Sequence, residues 1–135
     1  MPAIQIDLRQ SGPTTTEAAI RAHRVLIDRP EAKDGHDQGP MGGELLLASL
    51  GGCFASNLFA AARAREVALE DVLISVTGEL AEAPARFSAI AMRVSGRASG
   101  GDDLEKLVAI AERACIVANT LRPALDLSVA VVAAQ

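Results

Sequence analysis

Leu45 to Ala62 reads LLLASLGGCFASNLFAAA, a run without a single charged residue, closed by Glu44 on one side and Arg63 on the other. Its length touches the ~18 residues at which a membrane span is considered. Ser49, Gly51, Gly52, Ser56, Asn57 and its alanines make it only weakly apolar, so the run reads as the buried central helix of a soluble protein, apolar all round. Two glycines inside a helix cost roughly 1 kcal/mol each against alanine. Ala48, Gly51, Gly52 and Ala55 are therefore expected to let another backbone approach closely.

Upstream, Asp28 to Gly43 carries Pro30, Gly35, Gly39, Pro40, Gly42 and Gly43 and reads as a long loop. Before it, Ile4, Ile6 and Leu8 alternate with Gln5, Asp7 and Arg9, which predicts a half-buried first strand. Ser11-Gly12-Pro13 is a turn, Thr14 to Ile27 is extended, and Arg24 to Ile27 reads as strand. Downstream, Val72 to Leu80 and Phe87 to Val94 alternate, and Ala81 to Arg86 joins them as an antiparallel hairpin. Gly96 to Gly101 reads as a loop. Asp102 as N-cap with Glu105 three residues on resembles a capping box. Leu104, Leu107, Val108, Ala111 and Cys115 then share one helix face, so Cys115 points inward near that helix's C-terminal end. Pro123 stops the helix, and Leu125 to Val131 forms a last strand.

That order is α+β: a mostly antiparallel sheet wrapped around a buried central helix, in a single domain over residues 1–135. The apolar surface exceeds what one small domain covers, and a homodimer is the natural way to bury it. The chain has 13 basic and 17 acidic residues, a net charge of −4. This argues against nucleic acid as a partner. Aromatics make up 2%, all phenylalanine, so stacking platforms for bases or sugars are not expected. MPAIQIDLRQ contains no basic n-region and no long apolar run, which reads as no signal peptide, no membrane and a cytoplasmic location.

The chemistry centres on two cysteines, Cys53 and Cys115. They are too few for a disulfide scaffold and wrongly spaced for zinc. Either they are small core hydrophobes or they do redox chemistry. Cys53 shares a helix face with Leu46, Leu50 and Asn57, and Cys115 lies on the inner face of the second helix. Two packed helices would bring the sulfurs near each other, the arrangement needed for peroxide reduction or disulfide exchange. Such chemistry needs a lowered thiol pKa, hence a nearby cation. His23 and His36 show no metal-ligand spacing and read as a strand or turn residue and a solvated loop residue.

GPMGGELLLASLGGCF, Gly39 to Phe54, resembles the OsmC/Ohr family of small thiol-dependent hydroperoxide reductases. ERACIVANTL, Glu112 to Leu121, is similar to the family's late cysteine near a helix end. RAHRVLIDRP, Arg21 to Pro30, looks like its strand ending in Asp before the loop. The resemblance spans about residues 3–133. It implies an intertwined homodimer with two active sites at the subunit interface, Cys53 as the peroxidatic cysteine and Cys115 as the resolving one. It also implies an arginine that stabilises the thiolate, with Arg9 or Arg24 as the candidates, and a glutamate that holds the arginine. Reductases of the Ohr type place that glutamate ten residues before the cysteine, where Gly43 stands. Glu44 stands at nine, as in more distant members, about 100° around a helix from the first position. Ile116 stands where the late motif commonly has proline, and Ala118 where it often has a polar residue. No metal, flavin or other cofactor is implied. The substrate is an organic hydroperoxide, with hydrogen peroxide a second candidate, and an external dithiol, in the family a lipoylated protein or a small thiol, regenerates the pair. The rival reading is a non-catalytic dimer of the same fold that binds a small apolar ligand or senses through its thiols.

Overall fold

The computed structural model describes residues 2–100 and 102–134. It forms two compact units, one up to Leu46 and one from Leu47 onward, the division falling inside a helix. The first unit is an antiparallel sheet of three strands in the order β1-β2-β3: Asp7–Gln10, Thr16–Ile20 and His23–Ile27. Thr14 to Ile27 is thus not one extended segment but a tight hairpin, with Ile20 opposite His23. Arg21 makes the turn at φ 54. A left-handed turn is usually built on Gly or Asn, and an arginine there gave no signal. The first strand is shorter than its alternation predicted. It starts at Asp7 and is exposed throughout, with Leu8 56% exposed, and Ile4, which precedes it, is 90% exposed. The periodicity marked two faces, but its own unit buries neither.

The loop after β3 is fixed by Asp28, which is 3% exposed. Its carboxylate accepts from Thr15 Oγ1 at 2.9 Å, the Arg29 N–H at 2.7 Å and the Gln38 N–H at 3.2 Å. Burial disfavours the charge, but the Thr14 hydroxyl and these three donors outweigh it and hold the carboxyl well below the usual carboxylate range. A single 3₁₀ turn, Glu31–Lys33, interrupts the loop. Gly39 lies so close to β3 that a Cβ there would sit 2.1 Å from the Leu26 carbonyl oxygen. Glycine is therefore required at this position for contact, not for an unusual φ.

Helix α1 spans Gly42–Ala64. It has the length and apolarity of a membrane span, yet Leu50, Phe54, Leu58, Ala61 and Ala62 make a buried stripe in the core of the second unit. The expectation of burial all round fails in the single chain: Ala48, Gly52, Phe59 and Ala60 are exposed. Within the second unit the sheet covers one side of the helix. The two glycines differ accordingly. A Cβ on Gly51 would lie 3.1 Å from Val76 Cγ2, against the sheet, whereas one on Gly52 would meet nothing within 4 Å.

That sheet contains β4 (Ala68–Ala81), β5 (Arg86–Ser99) and β6 (Asp126–Val131) in that order. β4 and β5 form the expected antiparallel hairpin, with Val76 opposite Met92. β5 continues through Gly96 to Ser99, so most of the expected Gly96–Gly101 loop is strand; Gly101 lies outside the described residues. β6 runs parallel to β5, with Val129 beside Met92. The sheet is therefore mixed, because two intervening helices supply a crossover long enough for a parallel return. Ile90, Met92 and Val94 of β5 alternate into the core; burying each large side chain contributes about 1.5–3 kcal/mol.

Helix α2, Leu104–Ala114, is capped by Asp103, not Asp102: the Asp103 side chain accepts from the Lys106 N–H at 2.9 Å. Asp102 instead pairs with Lys106 at 3.1 Å and Arg65 at 3.4 Å. Leu107, Val108 and Ala111 are buried on one face as the periodicity requires, and Cys115 follows them at 0% exposure. The helix expected to run to Pro123 breaks at Cys115, and its remainder is a separate short helix, α3, over Ile116–Leu121.

Candidate functional site: a cysteine pair at a helix junction

Cys53 lies three residues after the buried Leu50 on α1, at the margin of the buried stripe, and is half-buried. Cys115 ends α2 and begins α3 in an extended conformation, φ −74 and ψ 111. That break is what builds the site. The first amides of any helix have no intrahelical acceptor; here the N–H groups of Val117 and Ile116 both hydrogen-bond the Cys53 sulfur, as does the Cys115 thiol. Both cysteines are free.

The two thiols are pushed apart in acidity. Burial opposes ionisation of Cys53, but the Val117 N–H, the Cys115 S–H and the Ile116 N–H together outweigh it, and its pKa falls below the ordinary thiol value. For Cys115, burial is the largest effect and raises the pKa. The Cys53 hydrogen bond and negative charge raise it further, against N–H groups of Ala118 and Val117 that favour ionisation. The half-buried sulfur is therefore the better thiolate, and the fully buried one keeps its proton and donates it. Asn57, one turn after Cys53, donates from Nδ2 to the Cys53 carbonyl at 2.9 Å and lies 3.9 Å from Cys53 Sγ.

The sequence called for a cation at the thiolate. Every group that shifts Cys53 is instead an amide or thiol donor of the second unit. Arg9 and Arg24 belong to the first unit, where they line a cavity of about 620 Å³ together with Glu17. Arg24 is held by Glu17, Nε to Oε1 at 3.2 Å. Glu44 accepts from the Met41 N–H at 2.8 Å, capping the start of its own helix; among the described residues no ion pair joins it to an arginine. Reasoning from side chains missed the amides of Ile116 and Val117, which carry no residue signature. Also among the described residues, no three His, Cys, Asp or Glu side chains cluster to hold a metal.

A family model described as OsmC-like protein matches residues 35–130. The chain belongs to the OsmC-like family. Its fold is that of an OsmC-like protein from Mycoplasma pneumoniae, with TM-score 0.84 and 18% identity over 99% of both chains. An organic hydroperoxide resistance protein OsmC from Legionella pneumophila superposes with TM-score 0.68 and 20% identity over 97% of each chain. Another organic hydroperoxide resistance protein, from Elizabethkingia anophelis, gives TM-score 0.69 and 13% identity, covering 98% of this chain and 99% of that one. No protein of curated function matches significantly. The OsmC-like match begins at Gly35, so it covers α1, both cysteines and all of the second sheet except Val131 but leaves β1 to β3 outside.

Proposed function

We propose that this OsmC-like chain is a thiol-dependent peroxidase that reduces organic hydroperoxides through Cys53 and a Cys53–Cys115 disulfide. The observation that carries the reading is the asymmetry of the pair: Cys53 shifted toward thiolate and half-exposed, Cys115 shifted toward thiol, buried and hydrogen-bonded to it. The Cys53 thiolate attacks the terminal oxygen of ROOH. A sulfur–oxygen bond forms, the O–O bond breaks, and the departing alkoxide leaves as ROH after taking up a proton. Cys53 is now a sulfenic acid, oxidised by two electrons. The Cys115 sulfur attacks Cys53, the S–S bond forms, and the oxygen leaves as water with the Cys115 proton. An external dithiol returns the two electrons by exchange.

Titration of free thiols before and after one equivalent of cumene hydroperoxide tests this. Both thiols should vanish in the wild type, and Cys115 should stay free in Cys53→Ser. Survival of the wild-type thiols would remove the peroxidase reading and leave an apolar-ligand binder. The same proposal has two copies associating, supported by the exposure of Ile4, Leu8, Phe59 and Ile116 at 90%, 56%, 48% and 72%. A monomer mass in sedimentation would refute that part.

A further inference from the structure

The Asn57 amide sits over the reacting sulfur. Its Nδ2 is tied to the Cys53 carbonyl at 2.9 Å, and a carbonyl accepts only, so this bond fixes which end of the amide faces Cys53. The nitrogen has two hydrogens. One is used on the carbonyl, and the other belongs to a nitrogen 3.9 Å from Sγ. That distance is long for a bond to the bare sulfur. It leaves room for one more atom.

The geometry points to Asn57 as a catalytic donor for the second step: when Cys53 carries the oxygen taken from the peroxide, the Asn57 Nδ2–H donates to that oxygen. The inference rests on the peroxidase reading above and adds to it. In the sulfenic acid the oxygen is the leaving group. A donor already in place stabilises the negative charge that grows on it as Cys115 forms the S–S bond and water departs. Before oxidation the amide has little to do beyond the helix, so it acts on resolution and hardly on the attack. Asn57 lies one turn from Cys53 on the same helix, so its placement needs no other element.

The test uses the full chain with Asn57→Leu, which keeps the branching at Cγ but removes the donor, and Asn57→Ala, which places the best helix former at the same half-buried site. Stopped-flow mixing with cumene hydroperoxide reads loss of the Cys53 thiol. Mass spectrometry with a sulfenic-acid trap reads the next step. Thiol loss is expected to stay within about twofold of wild type. Disulfide formation should slow about tenfold, which is 1.4 kcal/mol of barrier and the size of one hydrogen bond. Trapped sulfenic acid should rise and, in excess peroxide, so should sulfinic acid. Asn57→Gln, one methylene longer, should restore part of the rate. Disulfide formation at the wild-type rate in either folded variant, with no added trapping, overturns the role of Asn57 and leaves the peroxidase reading intact. Equal slowing of both steps assigns Asn57 to helix packing and overturns it too. A wild-type Cys53 that does not react with peroxide ends both.

Discussion

Ile116→Pro removes a single hydrogen-bond donor from the Cys53 thiolate and little else. Ile116 is the first residue of α3, so its N–H has no acceptor in the helix. Proline is favoured at that position. The preceding residue, Cys115, already has the extended φ −74 and ψ 111 that a residue before proline adopts. The Ile116 side chain is 72% exposed, so little burial is lost. What disappears is the N–H that helps bring Cys53 below the ordinary thiol value; the Val117 N–H and the Cys115 thiol remain. A hydrogen bond to a charged acceptor contributes about 1.5–3 kcal/mol. Cys53 is half-buried and water replaces part of the loss, so the low end applies and the acid dissociation constant of Cys53 falls about tenfold. The reaction rate falls less, because a more basic thiolate is intrinsically more nucleophilic, with a Brønsted slope of about 0.4–0.5. The net expectation is a fall of about threefold at pH values where the thiol predominates and a rise of about threefold on the alkaline plateau. Iodoacetamide alkylation of Cys53, followed by mass spectrometry across pH, shows whether the two profiles cross. A folded Ile116→Pro protein whose profile overlies the wild type would refute the assignment of the α3 amides to the thiolate.

Two further perturbations address the scaffold. Asp28 is ionised more readily in the folded chain than in the unfolded one, so it stabilises the fold at pH values above the ordinary carboxylate range and ceases to do so as pH falls through that range and below. Asp28→Asn should melt lower than wild type at neutral pH, and the gap should narrow in acid; parallel pH dependences in thermal melts would contradict this. Gly39→Ala places a Cβ 2.1 Å from the Leu26 carbonyl oxygen, a clash with backbone that cannot swing aside. It should cost roughly 3 kcal/mol or more, visible in chemical denaturation, and a cost under about 1 kcal/mol would show that the loop has a second arrangement.

The elements with strict periodicity were legible. Ile90, Met92 and Val94 alternate into the core, and Leu107, Val108 and Ala111 hold one helix face. Both outcomes follow from side chains that repeat at the period of their element. Cys115 could be placed because it continues that face, and Cys53 because Leu50 precedes it by three residues. The signals failed where the deciding group was backbone or where two neighbours competed. Asp102 and Asp103 offer the same cap, and the second takes it while Asp102 pairs with Arg65 and Lys106. The hairpin at Arg21 has no glycine to announce it. The amides that favour the Cys53 thiolate could not be seen as residues at all; their only trace was Ile116, which keeps an N–H where the family motif commonly has proline.

The charged candidates show a different kind of limit. A glutamate nine residues before Cys53 can reach back to its helix start or outward to an arginine, and spacing does not decide between them. In this chain Glu44 closes on the Met41 N–H, and Arg24 closes on Glu17. Glu44 and Arg24 each have a partner within their own unit, and the groups that favour the Cys53 thiolate within the second unit are those of the helix break at Cys115. The apolar residues argue the same way from the other side. Alternation assigned Leu8 to a buried face, and the charge-free run assigned Phe59 to one. Both remain about half exposed in the single chain. A period that is right and a burial that is missing together locate apolar surface that one copy does not cover, and that is the physical ground for the proposed association of two.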